Sequence, residues 1–344
     1  PGILLNAFLL YLIKRFSRKD LGAYKYLLGI FAVYDIILII MHNLIDLKAV
    51  ITEHFFGVIS VNFLNTSKFT SIYGACFMVP FSLLNIHFLY RYWVIKYPYR
   101  VVFFTRPKFI VFLVVCISII TFFWYCICEY GLDTTEPGYL EARLELAAEF
   151  NLSYIDGWFV FQHDGEITLR TVATLLTYDV VMVVMSMTSV SLALLTYLQI
   201  QREKTLSLND RHSQLRILFA VCIQTLVPFI FVYAPYLSFF NLPLLGFRAP
   251  TIAADIAPYV HSVFPMLDAL VIILLMKDYR KGARFILFGR KEEQVVSLAS
   301  QVSAINSQPS LSRSIQLLIS LKKWRKRAKK AKKVLQITHW SPLR

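Results

Sequence analysis

The sequence predicts an all-α membrane protein: a seven-helix bundle with its N-terminus outside the cell and its C-terminus in the cytoplasm. Three observations lead there. Apolar and aromatic residues fill 57% of the 344 positions and charged residues only 17%, a balance that soluble domains of this size do not carry. The apolar residues gather in stretches near twenty residues, enough to cross a hydrocarbon core of ~30 Å at ~1.5 Å per residue. The basic residues gather at alternate joints between those stretches.

The stretches cover residues 1–13, 26–44, 72–92, 109–127, 174–200, 215–240 and 255–276. The first is too short to cross alone and opens on Pro1, so the remainder of that helix is expected before the given start. A cleavable signal peptide fits less well, because a basic leader region and a small-residue cleavage site are both missing. A short buried or interfacial segment is the other reading of such a run.

Direction follows from Lys and Arg, which stay with the cytoplasm. The joints after the first, third and fifth stretches hold fourteen basic residues, among them Lys14, Lys25, Arg91, Lys108 and Arg216; the other three joints hold five. This places the N-terminus outside. Between Glu129 and Ala173 nine carboxylates face only Arg143 and Arg170, which suits an outer segment. Both N-x-S/T acceptors, at Asn65 and Asn151, also fall in outer joints. Asn151 stands clear of the membrane and is the candidate for glycosylation.

The net charge of +15 does not point to nucleic acid. From Lys277 onward seventeen basic residues meet three acidic ones, so the excess belongs to a tail beyond the last stretch. Residues 1–290 form the bundle by this reading. Residues 291–344 form a basic cytoplasmic tail, either largely disordered or a membrane-surface helix, with anionic inner-leaflet lipid as its nearest partner. Within it, residues 315–337 set a basic block beside apolar residues and Trp324. That pattern suits anionic lipid or a calmodulin-like protein, and equally a solvated tail. All five cysteines lie in or beside apolar stretches. Buried free thiols are the default there, with a Cys76 bridge to Cys126 or Cys128 as the alternative.

Several residues stand out along the spans. The third ends Tyr90-Arg91-Tyr92, a cation flanked by aromatics at the cytoplasmic mouth. Such an arginine can snorkel, hydrogen-bond across to the sixth span, or receive the end of a partner protein; a plain interfacial anchor is the simpler reading. The sixth span carries Gln224 and Pro228, and the seventh carries Pro265 and Asp268. A proline inside a membrane helix frees a backbone carbonyl and bends the axis, which suits either a pivot or a static kink.

With those motifs in place, the chain resembles the nematode serpentine chemoreceptors of the Str group, seven-helix receptors coupled to G proteins. The resemblance runs from about residue 2 to residue 290. It rests on Gly2 to Asn6, Leu21 to Tyr26, Tyr90-Arg91-Tyr92, Gln224 to Pro228, and Pro265-x-x-Asp268 followed by Lys277-Asp278-Tyr279-Arg280. It implies a receptor that binds a small odorant-type cue and signals to a heterotrimeric G protein, at the plasma membrane of sensory-neuron cilia. It gives Tyr90, Arg91 and Tyr92 a part in coupling, and Gln224, Pro228, Pro265 and Asp268 a part in switching. The chain departs from the family at Ala269, where a proline is expected, and in the tail after about Val296.

Two polar groupings complete the expectations. Asn6, Asp35 and Asp268 lie at similar depth from the cytoplasmic ends of their spans. They are read either as one hydrated cluster holding a proton or cation, or as three separately satisfied residues. Nearer the outside, Tyr178, Asp179, Tyr233, Tyr236, Asp255 and Tyr259 are candidates to line a ligand pocket, aromatic walls with a few polar groups being suited to small organic molecules. An interfacial aromatic belt explains the same residues.

Other classes fit less well. His87 and His261 stand singly and the sequence holds neither G-x-S-x-G nor H-E-x-x-H, so no enzyme and no cofactor is expected. A transporter would show internal repeats, and a ligand-gated channel of the insect odorant type would put the N-terminus inside. A channel, a transporter or a nonfunctional relic of a receptor remain the alternatives.

Overall fold

The computed structural model describes residues 1–17, 21–51, 55–62, 64, 66–131, 138–151, 153, 155–161, 168–204, 206–245, 247 and 251–288. The tail at 291–344 and Asn65 lie outside the described residues. The chain divides into a compact unit, Pro1–Ala283, and a second unit, Arg284–Arg344.

The first unit is a bundle of helices. Its helices are α1 (Gly2–Phe16), α2 (Tyr24–Ile45), α3 (Ser67–Cys76), α4 (Met78–Lys96), α5 (Pro107–Tyr130), α6 (Gly138–Glu149), α7 (Leu169–Arg202), α8 (Leu208–Pro228), α9 (Ala234–Leu244), α10 (Thr251–Leu275) and α11 (Lys277–Phe288). Six stretches are long and apolar enough to cross a membrane: α2, α3 with α4, α5, α7, α8 with α9, and the part of α10 from Pro258. Helix α1, 15 residues long, packs against α2 and α10 as the seventh helix of the bundle.

Exposure follows membrane logic. Only 6% of the most apolar window of α5 is buried, so Val111, Phe112, Val115 and Phe122 face outward. An apolar helix left uncovered on nearly every side is stable only in lipid. The polar residues turn inward instead. Asn6, Asp35, His87, Gln224 and Asp268 are all buried. Asn85 on α4 accepts a hydrogen bond from Ser189 of α7 at 2.9 Å, the kind of polar contact that joins helices where lipid offers no hydrophobic drive between them.

Two spans are broken where proline requires it. Pro80 has no N–H to offer the carbonyl of Cys76 one turn back. The chain breaks there between α3 and α4, and the hydroxyl of Tyr34 donates to that carbonyl at 2.8 Å. After Pro228 the sixth span widens into a π-helical turn, Phe229–Tyr233, before α9 continues. The imidazole Nε2 of His261 lies 3.4 Å from the carbonyl of Val232 in that turn.

The sequence reading did not anticipate a sheet. Strands β1 (Leu47–Ile51), β2 (Phe55–Ser60) and β3 (Gly157–Phe161) form an antiparallel sheet in the order β1-β2-β3. Val58 is paired with Trp158 and Ala49 with Val58. The sheet sits at the end of the bundle opposite Arg91, because Asp156 beside β3 accepts from the backbone N–H of Ser67, where α3 begins, at 3.3 Å. It closes over that end and packs on α6 through Phe55, Ile59, Phe159 and Leu146.

Candidate functional site

Beneath the sheet lies an apolar cavity, with about 70 Å³ open to the centre of a water-sized sphere. The sheet roofs it with Ala49, Val58 and Trp158, and the bundle walls include Trp124, Tyr178, Tyr233 and Tyr236. Aromatic packing fixes these walls: Tyr178 lies 4.5 Å from Trp124 and 5.1 Å from Tyr236, and Tyr233 lies 4.0 Å from Phe81, centroid to centroid. Of the candidate pocket residues, the structure therefore brings together Tyr178, Tyr233 and Tyr236. Asp179 and Tyr259 lie elsewhere. Asp179 points away and accepts a hydrogen bond from Asn241 at 3.1 Å, while Tyr259 is 68% exposed. One helical step carries a side chain off the inner face, and that separates Asp179 from Tyr178. The side chain of Asp255 lies outside the described residues.

The polar groups at this cavity are few. His42 Nδ1 and the Tyr73 hydroxyl lie 2.7 Å apart. The Trp158 indole N–H donates to Ser71 at 3.0 Å, and Ser71 donates to Glu129 at 2.6 Å. Among the described residues the buried Tyr233 hydroxyl has no hydrogen-bond partner, although buried hydroxyls ordinarily find one. Trp158 also seats on Gly74, where an added Cβ would overlap the edge of its indole ring. His42, Tyr73, Gly74, Trp124, Trp158 and His261 line the cavity without having been singled out from sequence for it. They come from distant segments, and no local pattern links them.

A buried polar layer lies between the cavity and the Arg91 end. Asn6 Nδ2 donates to the carbonyl of Pro265 at 3.0 Å and to Gly2 at 3.2 Å, joining α1 to α10. Asp35 and Asp268 are close enough to interact electrostatically. Asn6 Oδ1, Asp35 Oδ1 and both carboxylate oxygens of Asp268 are buried without a hydrogen-bond partner among the described residues. Gln224, on α8, is 1% exposed, with its Nε2 also unpartnered.

At the far end Arg91 is buried. Its guanidinium lies 3.8 Å from the centroid of the Tyr24 ring on α2 and donates to Gln214 Oε1 on α8 at 3.4 Å. Tyr90 stacks on Tyr24 at 5.6 Å and meets Phe104 edge-on at 5.0 Å. Tyr92 turns outward, with the Lys96 ammonium 5.5 Å from its ring. Ser17 and Tyr279 share a hydrogen bond of 2.9 Å. Burial pushes the Tyr279 hydroxyl up to about 12, against the opposing effect of Ser17, so it stays neutral and tethers α11 to the end of α1. No group of three or more His, Cys, Asp or Glu side chains able to hold a metal occurs among the described residues.

Comparison with known proteins matches this architecture. The family model described as serpentine type 7TM GPCR chemoreceptor Str covers residues 2–284. A serpentine receptor class r-10 of Caenorhabditis briggsae is 29% identical over 318 residues, spanning 88% of this chain and 92% of that protein. Its namesake in Caenorhabditis elegans is 28% identical over 300 residues, spanning 83% and 87%. Buried polar layer, broken sixth span and family match agree, and the chain belongs to the Str family of serpentine seven-transmembrane chemoreceptors of the GPCR type.

Proposed function

We propose that this chemoreceptor binds a small, largely apolar cue in the cavity beneath the sheet and signals to a heterotrimeric G protein at the Arg91 end. One observation carries the reading. Arg91 is buried yet held by the Tyr24 side chain and a long hydrogen bond to Gln214, while its Nε and Nη2 lack an acceptor among the described residues. A guanidinium offers five donors, so this one is poised to give them up to a partner when α8 moves. Tyr90 and Tyr92 flank it, packing it on one side and facing the partner on the other.

The route between the two ends runs through the sixth and seventh spans. Tyr233 and Val232 at the cavity belong to the widened turn after Pro228, where backbone hydrogen bonding is loosest. Gln224 and Gln214 follow on the same span, and Gln214 holds Arg91. Pro265 and Asp268 give the seventh span the matching flexibility. Asn6, Asp35 and Asp268 share a proton or cation that stabilises one of the two arrangements. By linkage, a cue that favours the open arrangement must bind more tightly once the G protein is engaged.

On this reading the basic joints mark the Arg91 end as cytoplasmic, and the receptor belongs in the plasma membrane of a sensory cilium, with anionic lipid at its basic tail. Asn151 is exposed at the sheet end, placed to carry a glycan outside. Arg91→Ala should abolish cue-dependent signalling while surface display is retained; unchanged signalling refutes the assigned role. A mass shift removed by glycosidase and by Asn151→Gln tests direction separately.

A further inference from the structure

Helices α1 and α2 pack together but leave an outward groove of about 730 Å³ between them. Lys14, Ser17, Lys25 and Tyr26 stand at one end, and Leu10, Gly29, Val33 and Ile37 run along it. We propose that this groove is a binding site for an anionic phospholipid, with the headgroup phosphate on Lys14 and Lys25 and one acyl chain lying along the groove.

Length, shape and charge each support that occupant. From Lys25 to Ile37 the helix rises ~18 Å at ~1.5 Å per residue, close to half of a ~30 Å hydrocarbon core. The groove therefore spans one leaflet, with its cationic end at headgroup level. The groove has room to spare at Gly29, where a Cβ would meet Leu10 Cδ2 at 3.9 Å, an ordinary contact. Within lipid such a recess must be filled, because uncovered walls forfeit their dispersion contacts. Among the described residues no carboxylate pairs with Lys14 or Lys25, and the Lys25 ammonium rests 5.0 Å from the Tyr26 ring centroid. Two unneutralised ammonium groups at the mouth of an acyl-sized groove select a lipid with net negative charge.

The site also bears on signalling, in a way that rests on the role proposed for Arg91. Lys25 adjoins Tyr24, whose ring carries the Arg91 guanidinium. A headgroup anchored at Lys25 fixes the first turn of α2 and so steadies that contact. The lipid site itself does not depend on this, nor on the direction of insertion.

Native mass spectrometry of the purified full chain with equal phosphatidylserine and phosphatidylcholine tests it. The wild type should retain phosphatidylserine preferentially, and Lys14→Gln with Lys25→Gln should cut that retention by about tenfold. Lys108→Gln, a cation at the same end on α5, should leave it unchanged; the basic tail contributes equally to each variant and cancels. Gly29→Leu, which fills the groove and keeps both lysines, should reduce retention by about fivefold without lowering thermal stability. Equal retention of the two lipids, an equal loss in Lys108→Gln, or equal retention of soluble glycerophosphoserine would overturn the proposal.

Discussion

The guanidinium of Arg91 lies 3.8 Å from the centroid of the Tyr24 ring, so an aromatic face from the second span does the holding that a carboxylate would otherwise do. A desolvated cation over an aromatic ring is worth about 2 kcal/mol. Tyr24→Leu is therefore expected to raise cue-independent signalling, by up to roughly thirtyfold. Tyr24→Phe keeps the ring and should stay near wild type. Basal second-messenger levels at matched surface expression check this, and equal effects of the two substitutions would count against it.

The Tyr233 hydroxyl gives two opposite expectations for one substitution. A buried hydroxyl without a partner costs about 1–3 kcal/mol, so Tyr233→Phe should make the empty receptor more stable, by about 2 °C in melting temperature. On the proposed reading a polar group of a bound cue supplies that partner, so potency for such cues should fall by about tenfold. Thermal shift and dose–response measurements on one preparation read both. A less stable variant with unaltered potency would remove Tyr233 from the pocket.

Much of this was legible in the sequence because it depends on quantities that accumulate along the chain. Apolar length gives the spans, and a charged residue set inside one, such as Asp35, Arg91 or Asp268, marks itself. The cavity was only half legible. Tyr178 and Tyr236 could be named from their depth, but Asp179 shares that depth and faces elsewhere, because depth alone does not fix rotation about a helix axis. The sheet was hidden for another reason: β2 pairs with β3 across most of a hundred residues, through strands too short to show a period. The break at Pro80 could have been read from sequence, but its cap by Tyr34 could not.

Gly74 and Trp158 predict a coupled pair. A methyl at Gly74 would overlap the indole, and overpacking of this kind costs about 1–3 kcal/mol. Gly74→Ala should therefore lower the melting temperature and loosen the sheet over the cavity. Adding Trp158→Phe makes room for the methyl and should recover part of the loss, with a coupling of about 0.5–3 kcal/mol. Simple addition of the two losses would mean that the strand is seated by other contacts.

Asp35 and Asp268 provide the sharpest test of the buried layer. Among the described residues Asp35 Oδ1, both Asp268 oxygens and Asn6 Oδ1 lack hydrogen-bond partners in a region closed to solvent, and two like charges cannot both persist there without a proton or cation between them. If one such ion serves both, the first Asp→Asn substitution removes the reason for binding it, and the second adds little. Stabilities of Asp35→Asn, Asp268→Asn and the double variant should thus depart from additivity by at least about 1 kcal/mol. Wild-type stability should depend on sodium concentration if the ion is a metal, and on pH if it is a proton, with either dependence absent from the double variant. Additivity within about 0.5 kcal/mol would show three residues satisfied separately, and the layer could then no longer act as a switch.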